Sequence, residues 1–283
     1  MLINSDWHIH SEYSYDAANP LSEIAESAKE QGLVRIGITD HLNFNDGKFK
    51  SDIYRSVEAV TDIQKKYPFI VLGVELTPIE YPEFEYISKT GTREGYEPPI
   101  KNSAYELELA MTKSELTSLG IRYAIGAAHW RLDVPFAKSL KPDLECCIRE
   151  WYRQQMWLAC DERVTILGHP WYQKNGIWYE DFTLIPRSMN LDIAAAVKEN
   201  GKYVECNSHF FTSQLSSEKF KHQYAEFLRE LFEMGIPITY GSDSHKNYSG
   251  ISLAVRQKVE HYLSAAGFTA GDISELSEKD FWV

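Results

Sequence analysis

The sequence predicts an α/β fold, a distorted TIM-like (β/α)7 barrel forming a single domain over residues 1–283. Three observations predict it. Apolar runs of strand length alternate with amphipathic stretches of helix length, which implies parallel strands joined by right-handed crossovers. No glycine-rich nucleotide turn follows the first run, which favours a closed barrel over a doubly wound open sheet. Most of the apolar runs also end in histidine or an acid, as barrel strands do when they deliver ligands to a common face.

The elements follow in order. Residues 2–7 read as the first strand and 20–31 as a helix, with Asn19 as cap, Pro20 at its first position and Gly32 as its stop. Residues 33–39 form the second strand, carrying Asp40 and His41 at its end. A helix near 52–66 leads to the third strand, 69–74, which ends at Glu75. After an irregular stretch, 104–119 reads as helix, Gly120 stops it, and 121–128 delivers His129. Helix 144–161 precedes strand 164–167 and His169; helix 193–199 precedes strand 202–205 and Asn207. Helix 217–234, strand 237–240 and the loop Gly241-Ser242-Asp243-Ser244-His245 make the last unit, and helix 252–265 closes the chain. The connections 77–103 and 171–189 exceed ordinary loop lengths and rise from ligand-bearing strand ends, so both are expected to be lids.

Bulk properties narrow the function. At 43% hydrophobic residues the chain can bury one large core. A net charge of −12 argues against a nucleic-acid or anionic-membrane surface, either of which rewards a basic face. A small phosphorylated metabolite held by metal stays compatible with that charge. Cys146, Cys147, Cys160 and Cys206 show neither C-x-x-C nor disulfide spacing, as expected of thiols in a reducing cytosol. No signal peptide precedes the first strand and no run is apolar enough to span a bilayer, so a cytoplasmic location is expected.

The chemistry lies in the clusters. Imidazole and carboxylate together are the ligand set for Zn, Mn or Fe. Alternate strand residues point the same way, so His8 and His10 can face one centre, and Asp243 and His245 share the same spacing. A mononuclear site needs three or four protein ligands, whereas His8, His10, His41, Glu75, His129, His169, Asp243 and His245 offer more, which favours a polynuclear centre. Closely spaced metals hold a hydroxide near neutral pH and clamp the oxygens of a displacement at phosphorus.

Taken in order, D-W-H-I-H, T-D-H, G-V-E, the single His129, G-H-P and S-D-S-H resemble the motifs of the PHP (polymerase and histidinol phosphatase) superfamily of metal-dependent phosphoesterases, over almost the whole chain. The resemblance implies a distorted seven-stranded barrel with two or three divalent ions, Zn, Mn or Fe. It assigns His8, His10, Glu75 and Asp243 to a first metal, with Glu75 bridging to a second held by His129 and His169. Asp16, His41 and His245 go to a third, and an acid at 16, where some members carry His, inclines that site toward Mn or Fe. Asp6 and Asp40 are expected to orient ligand imidazoles.

The implied reaction is hydrolysis of a small phosphate monoester, histidinol phosphate first among them, by a hydroxide bridging the first two metals. Asp243, Glu75 and His245 are its expected catalytic groups, with Asp243 or a metal-bound water protonating the leaving alcohol. Two alternatives keep the metals but cleave a phosphodiester or a C–N bond; amidohydrolases also open with H-x-H but usually bring a strand-borne Lys or a lone terminal Asp. A third is a catalytically silent scaffold, which would be expected to have lost ligands.

Substrate contacts are sought among Arg131, Lys138 and Lys246, with Arg187 in the second connection, as groups that grip phosphate. Asn207 can donate to a phosphate oxygen, and His209 lies close enough to a strand end to touch substrate. Trp7, Trp130 and Trp171 stand beside ligands, as aromatic walls or as ordinary packing. The acids Glu80, Glu83, Glu85, Glu94 and Glu97 would suit a cationic part of the substrate such as an amine. His222 and His261 fall in helical patterns and read as surface or core residues.

Overall fold

The computed structural model describes residues 1–97, 105–129 and 143–282. Strand β1 (Ser5–Ile9) is buried along its whole length and leads into α1 (Leu21–Glu30). β2 (Arg35–Ile38) and β3 (His41–Leu42) are one strand interrupted at Thr39-Asp40, since both keep the same parallel register against the strand β4 (Ile70–Leu76) that follows α2 (Gly47–Gln64). β5 (Ile79–Glu80), α3 (Tyr81–Thr90), β6 (Leu107–Glu108) and α4 (Lys113–Ser118) lie between β4 and β7 (Tyr123–Gly126). Then come α5 (Leu144–Cys160), β8 (Ile166–Leu167), α6 (Arg187–Glu199), β9 (Tyr203–Asn207), α7 (His209–Thr212), α8 (Glu218–Glu233), β10 (Ile238–Gly241) and α9 (Tyr248–Ala265).

The strands run parallel in the order β1-β2-β4-β7-β8-β9-β10, the seven expected from the sequence. The ring closes where β1 meets the segment after β10. Asp243 N donates to the His8 carbonyl at 2.8 Å and His10 N donates to the Ser244 carbonyl at 3.1 Å. Closure of the ring puts every carboxyl-terminal strand end on one rim.

The ring is filled below that rim. Trp7, Tyr123, Tyr203 and Phe281 pack together inside it with aliphatic neighbours. The Tyr123 hydroxyl donates to the Trp7 carbonyl at 2.6 Å. Gly73 makes room for the ring of Tyr123, because a Cβ there would come within 2.6 Å of it. The helices bury their apolar faces against the outside of the barrel in a second, larger cluster. Among the described residues no helix is long and apolar enough to cross a membrane.

Four local expectations are corrected. The helix expected over 104–119 is only α4, preceded by the extended β6, which pairs antiparallel with β5. Leu107 and Leu109 are buried either side of the half-exposed Glu108, a strand period, and the capping box of Thr112 with Glu115 starts the helix late. α2 starts earlier than expected because the Asp46 carboxylate caps it, accepting from Phe49 N at 2.9 Å. Asn19 does not cap α1, whose N-cap is Pro20. Its amide instead donates to the His10 carbonyl at 3.0 Å and the Ser244 carbonyl at 2.9 Å, stitching the seam of the barrel. Finally, α6 starts earlier than the helix expected over 193–199, at Arg187, and in the connection before it Trp171, Trp178, Tyr179, Phe182 and Ile185 are buried.

Candidate metal centre

Each clustered histidine or acid stands at the same rim. His8 and His10 stand at the end of β1, His41 begins β3, Glu75 lies near the end of β4, and His129, His169, Asp243 and His245 follow β7, β8 and β10. Glu75 is fully buried at the centre of the group. Its Oε2 lies 3.3 Å from Nε2 of both His8 and His10, and those two nitrogens are 3.1 Å apart. Its Oε1 lies 3.0 Å from Nε2 of His169 and 3.4 Å from Nε2 of His129. Asp243 Oδ1 approaches Nε2 of His8 and His10 at 3.5 and 3.3 Å. Asp16 Oδ2 stands 3.5 Å from Nε2 of both His41 and His245.

These spacings test the fit of a cation. Ligand atoms about 2.0–2.1 Å from a tetrahedral Zn ion lie about 3.3–3.4 Å from one another, which is the spacing seen here. Three overlapping groups bring donor atoms within 4.8 Å of each other: His8, His10 and Asp243; His10, His41 and His245; and His41, Glu75 and His129. Glu75 Oε2 is buried without a well-directed hydrogen bond, although His41 Nδ1 sits 2.8 Å away. A buried carboxylate oxygen among imidazoles, with no directed donor, is satisfied by a metal ion. The residues fit such ions.

Several rings are fixed with Nε2 toward the centre. His8 Nδ1 is 2.7 Å from Glu205 Oε1, an acceptor, so His8 donates from Nδ1 and keeps the Nε2 lone pair. His245 Nδ1 lies 2.9 Å from the Asp243 carbonyl, with the same consequence. Thr77 gives its one hydroxyl proton to Asn43 Oδ1 at 2.7 Å, so it accepts from His129 Nδ1 at 2.9 Å. Glu205 also accepts from the His169 backbone N–H, and from the Asn207 amide at 3.2 Å. Gly241 leaves the space Glu205 and His8 occupy, since a Cβ there would strike both side chains. The backbone is strained at two of the ligand positions, where His169 (φ 24) and Asp243 (φ 53) lie in the left-handed region, uncommon outside glycine.

The electrostatics describe a cluster that wants positive charge. Burial disfavours the charged form of His8, but Glu205, Asp243 and Glu75 override it and lift its pKa well above the usual value. His41 rises to about 10 against burial, drawn up by Glu75 and Asp16. Burial works against ionised Glu75 and Asp243 too, yet the surrounding histidines hold both carboxyls well below the usual range. His129 falls to about 3, because burial outweighs the pull of Glu75. Without cations, protons fill the positive places; cation binding displaces them.

Residues 6–209 match the family model of the PHP domain. The chain belongs to the PHP domain family. It superposes on the histidinol phosphate phosphatase of Lactococcus lactis subsp. lactis, solved with zinc, L-histidinol and phosphate, with a TM-score of 0.68, 17% identity and all of both chains covered. A probable phosphatase of Acetivibrio thermocellus is 41% identical over 56 residues, 20% of this chain and 22% of that protein. The PHP resemblance is thereby borne out, with the seven-stranded barrel it implied.

The other sequence candidates of this PHP chain divide. Asp6 and Asp40 touch no imidazole. Asp6 accepts from Ser242 N at 2.9 Å, and Asp40 accepts from Ser11 N and Oγ at 2.7 Å and from Ser56 Oγ at 2.6 Å, so both brace backbone and loops. The imidazole-orienting acid is Glu205, which sequence reasoning missed. Asn207 is buried, and its amide donates to Glu205 and, at 3.3 Å, to Asp243, leaving neither hydrogen for a phosphate. His209 and Lys246 line the cleft of about 650 Å³ over the centre, together with Tyr15, Tyr172 and Lys174. Trp130, Arg131 and Lys138 lie outside the described residues.

Arg187 points away from the centre into an exposed pair with Glu230. Trp7 packs on Tyr123 inside the barrel, and Trp171 packs on Phe182, Tyr224 and Phe227, so neither walls the cleft. The glutamates of the first connection are also elsewhere. Glu80 is buried 3.8 Å from Arg153, Glu83 pairs with Arg93, Glu85 lies 3.8 Å from Lys89, and neither Glu94 nor Glu97 lines the cleft.

Proposed function

We propose that the protein hydrolyses a small phosphate monoester at a two- or three-metal centre. The observation that carries this reading is the division of Glu75, one carboxylate oxygen toward His8 and His10, the other toward His129 and His169. In this reading His8, His10 and Asp243 would hold one ion with Glu75, and His129 and His169 would hold another with the same carboxylate. Asp16, His41 and His245 would hold a third. When bound, Zn, Mn or Fe ions supply a hydroxide nucleophile near neutral pH and positive charge for the phosphoryl oxygens.

The chain's own residues prepare the site for that chemistry. Glu205, Thr77 and the Asp243 carbonyl fix imidazoles so that no reorganisation is needed when the ester arrives. The packed ring beneath the rim closes the centre from below, so the ester enters through the cleft. The carboxyl of Asp243, held well below its usual range, is a poor acid, so the leaving alcohol takes its proton from water in the cleft. Residues 1–283 act here as one hydrolase domain.

The test is phosphate release from a panel of phosphomonoesters by protein reloaded with Zn, Mn or Fe, with metal content measured. Histidinol phosphate enters the panel because the similarly folded Lactococcus enzyme holds L-histidinol and phosphate. Turnover of any small monoester supports the proposal. Silence across the panel from metal-loaded protein overturns it and shifts attention to diesters and C–N bonds.

A further inference from the structure

The cleft is basic where the molecule as a whole is acidic. The chain carries a net charge of −12, yet beyond the candidate ligands the described charged side chains lining the cleft are Lys174 and Lys246. Lys174 and Lys246 lie in the loops after β8 and β10, the two strands that flank β9. Neither has an ion-pair or hydrogen-bond partner among the described residues. In the phosphatase reading the ligand carboxylates do not reverse the sign, because Asp16, Glu75 and Asp243 would be neutralised by two or three divalent ions. The remaining described wall mixes aromatic and apolar side chains, Tyr15, Tyr172, Ile251 and Val255, with serine and threonine hydroxyls and His209, and adds no carboxylate. An ammonium-bearing alcohol would meet no free carboxylate among the described residues of this wall.

We infer that the substrate is a phosphate monoester whose alcohol part bears a second anionic group, a carboxylate or another phosphate, received by Lys174 and Lys246. The inference rests on the phosphatase reading and narrows its substrate class. A cleft of about 650 Å³ is ample for a phosphate and a second charged group together. Two lysines without a partner among the described residues are free to reach that group, and a charge-assisted hydrogen bond is worth more than a neutral one.

Metal-reloaded protein separates the possibilities. kcat/KM is measured for glycerol phosphate, phosphoglycerate, a sugar bisphosphate and phosphoethanolamine, with p-nitrophenyl phosphate as reference. Phosphoglycerate or the bisphosphate is expected to exceed glycerol phosphate by about tenfold, and phosphoethanolamine to fall below it. Whichever of the two leads identifies the second anion. Lys174→Ala and Lys246→Ala should each shrink that ratio by about fivefold, chiefly through KM. A ratio that neither substitution moves overturns the inference, as does phosphoethanolamine turned over best. Hydrolysis of p-nitrophenyl phosphate without charge preference removes the inference and leaves the phosphatase. Silence on every ester removes both.

Discussion

Nδ1 of His8 stands 2.7 Å from Oε1 of Glu205, and both side chains are buried. The same carboxylate accepts from the His169 backbone, so one acid steadies donors from two strands. Glu205→Gln keeps the shape but puts an amide in place of a carboxylate beside the His8 N–H. Metal affinity is expected to fall about 10–100-fold, read by metal titration, with the far-UV spectrum retained. Unchanged affinity would remove Glu205 from the centre's support.

Thr77 sets the His129 tautomer by accepting from Nδ1 at 2.9 Å while giving its proton to Asn43. Thr77→Val removes that acceptor at nearly constant volume and should weaken metal binding about tenfold. Thr77→Ser should restore it. If valine and serine behave alike, the hydroxyl plays no part in orienting the ring.

Asp243 joins the closing seam of the barrel to the centre through its backbone N–H and its carboxylate. Asp243→Asn leaves the seam bond intact and removes the charge. Turnover should drop at least about a hundredfold and the melting temperature of the metal-free protein should fall, since the surrounding histidines hold this carboxylate ionised against burial and lose their counter-charge in the variant. Near-normal kcat would contradict a ligand role.

Removing metal should cost stability. Without cations, Glu75, Asp16 and Asp243 keep their charge among crowded imidazoles. An ion at a thousandfold excess over its Kd stabilises the folded state by about 4 kcal/mol per site. Calorimetry with and without chelator should therefore show a clear fall in Tm on chelation. An unchanged Tm would mean that no ion is held.

Arg187 serves as the control. Its guanidinium is exposed and paired with Glu230 on the outer face of the barrel. Such surface pairs contribute about 0–1 kcal/mol, so Arg187→Ala should leave turnover within about twofold and stability within that range. A large loss of turnover would mean that this side chain reaches the substrate after all.

The strands and the rim residues were legible in the sequence because a buried parallel strand shows an apolar run, and a ligand at its end breaks that run abruptly. Glu205 was not. It sits inside the run ending at Asn207 with no histidine beside it in sequence, and its partner His8 lies on a strand at the other end of the chain. Asp40 misled for the opposite reason, being the chain neighbour of His41. Adjacent residues of an extended segment point to opposite sides, so the acid beside a ligand faces away from the ligand's partner. Residues 104–119 misled because two apolar periods compete there, and burial of Leu107 and Leu109 either side of Glu108 decides for the shorter one.

The seam between His8 and Asp243 has a consequence in time. The centre draws its first donors from the start of the sequence and its last from near the end, so every nascent chain still lacking β10 is without Asp243 and His245 and without a closed ring. Bringing such distant partners together is an entropically slow, late event. A half-made chain therefore presents loose histidines rather than an assembled rim, which forms only once β10 and the loop after it have been made.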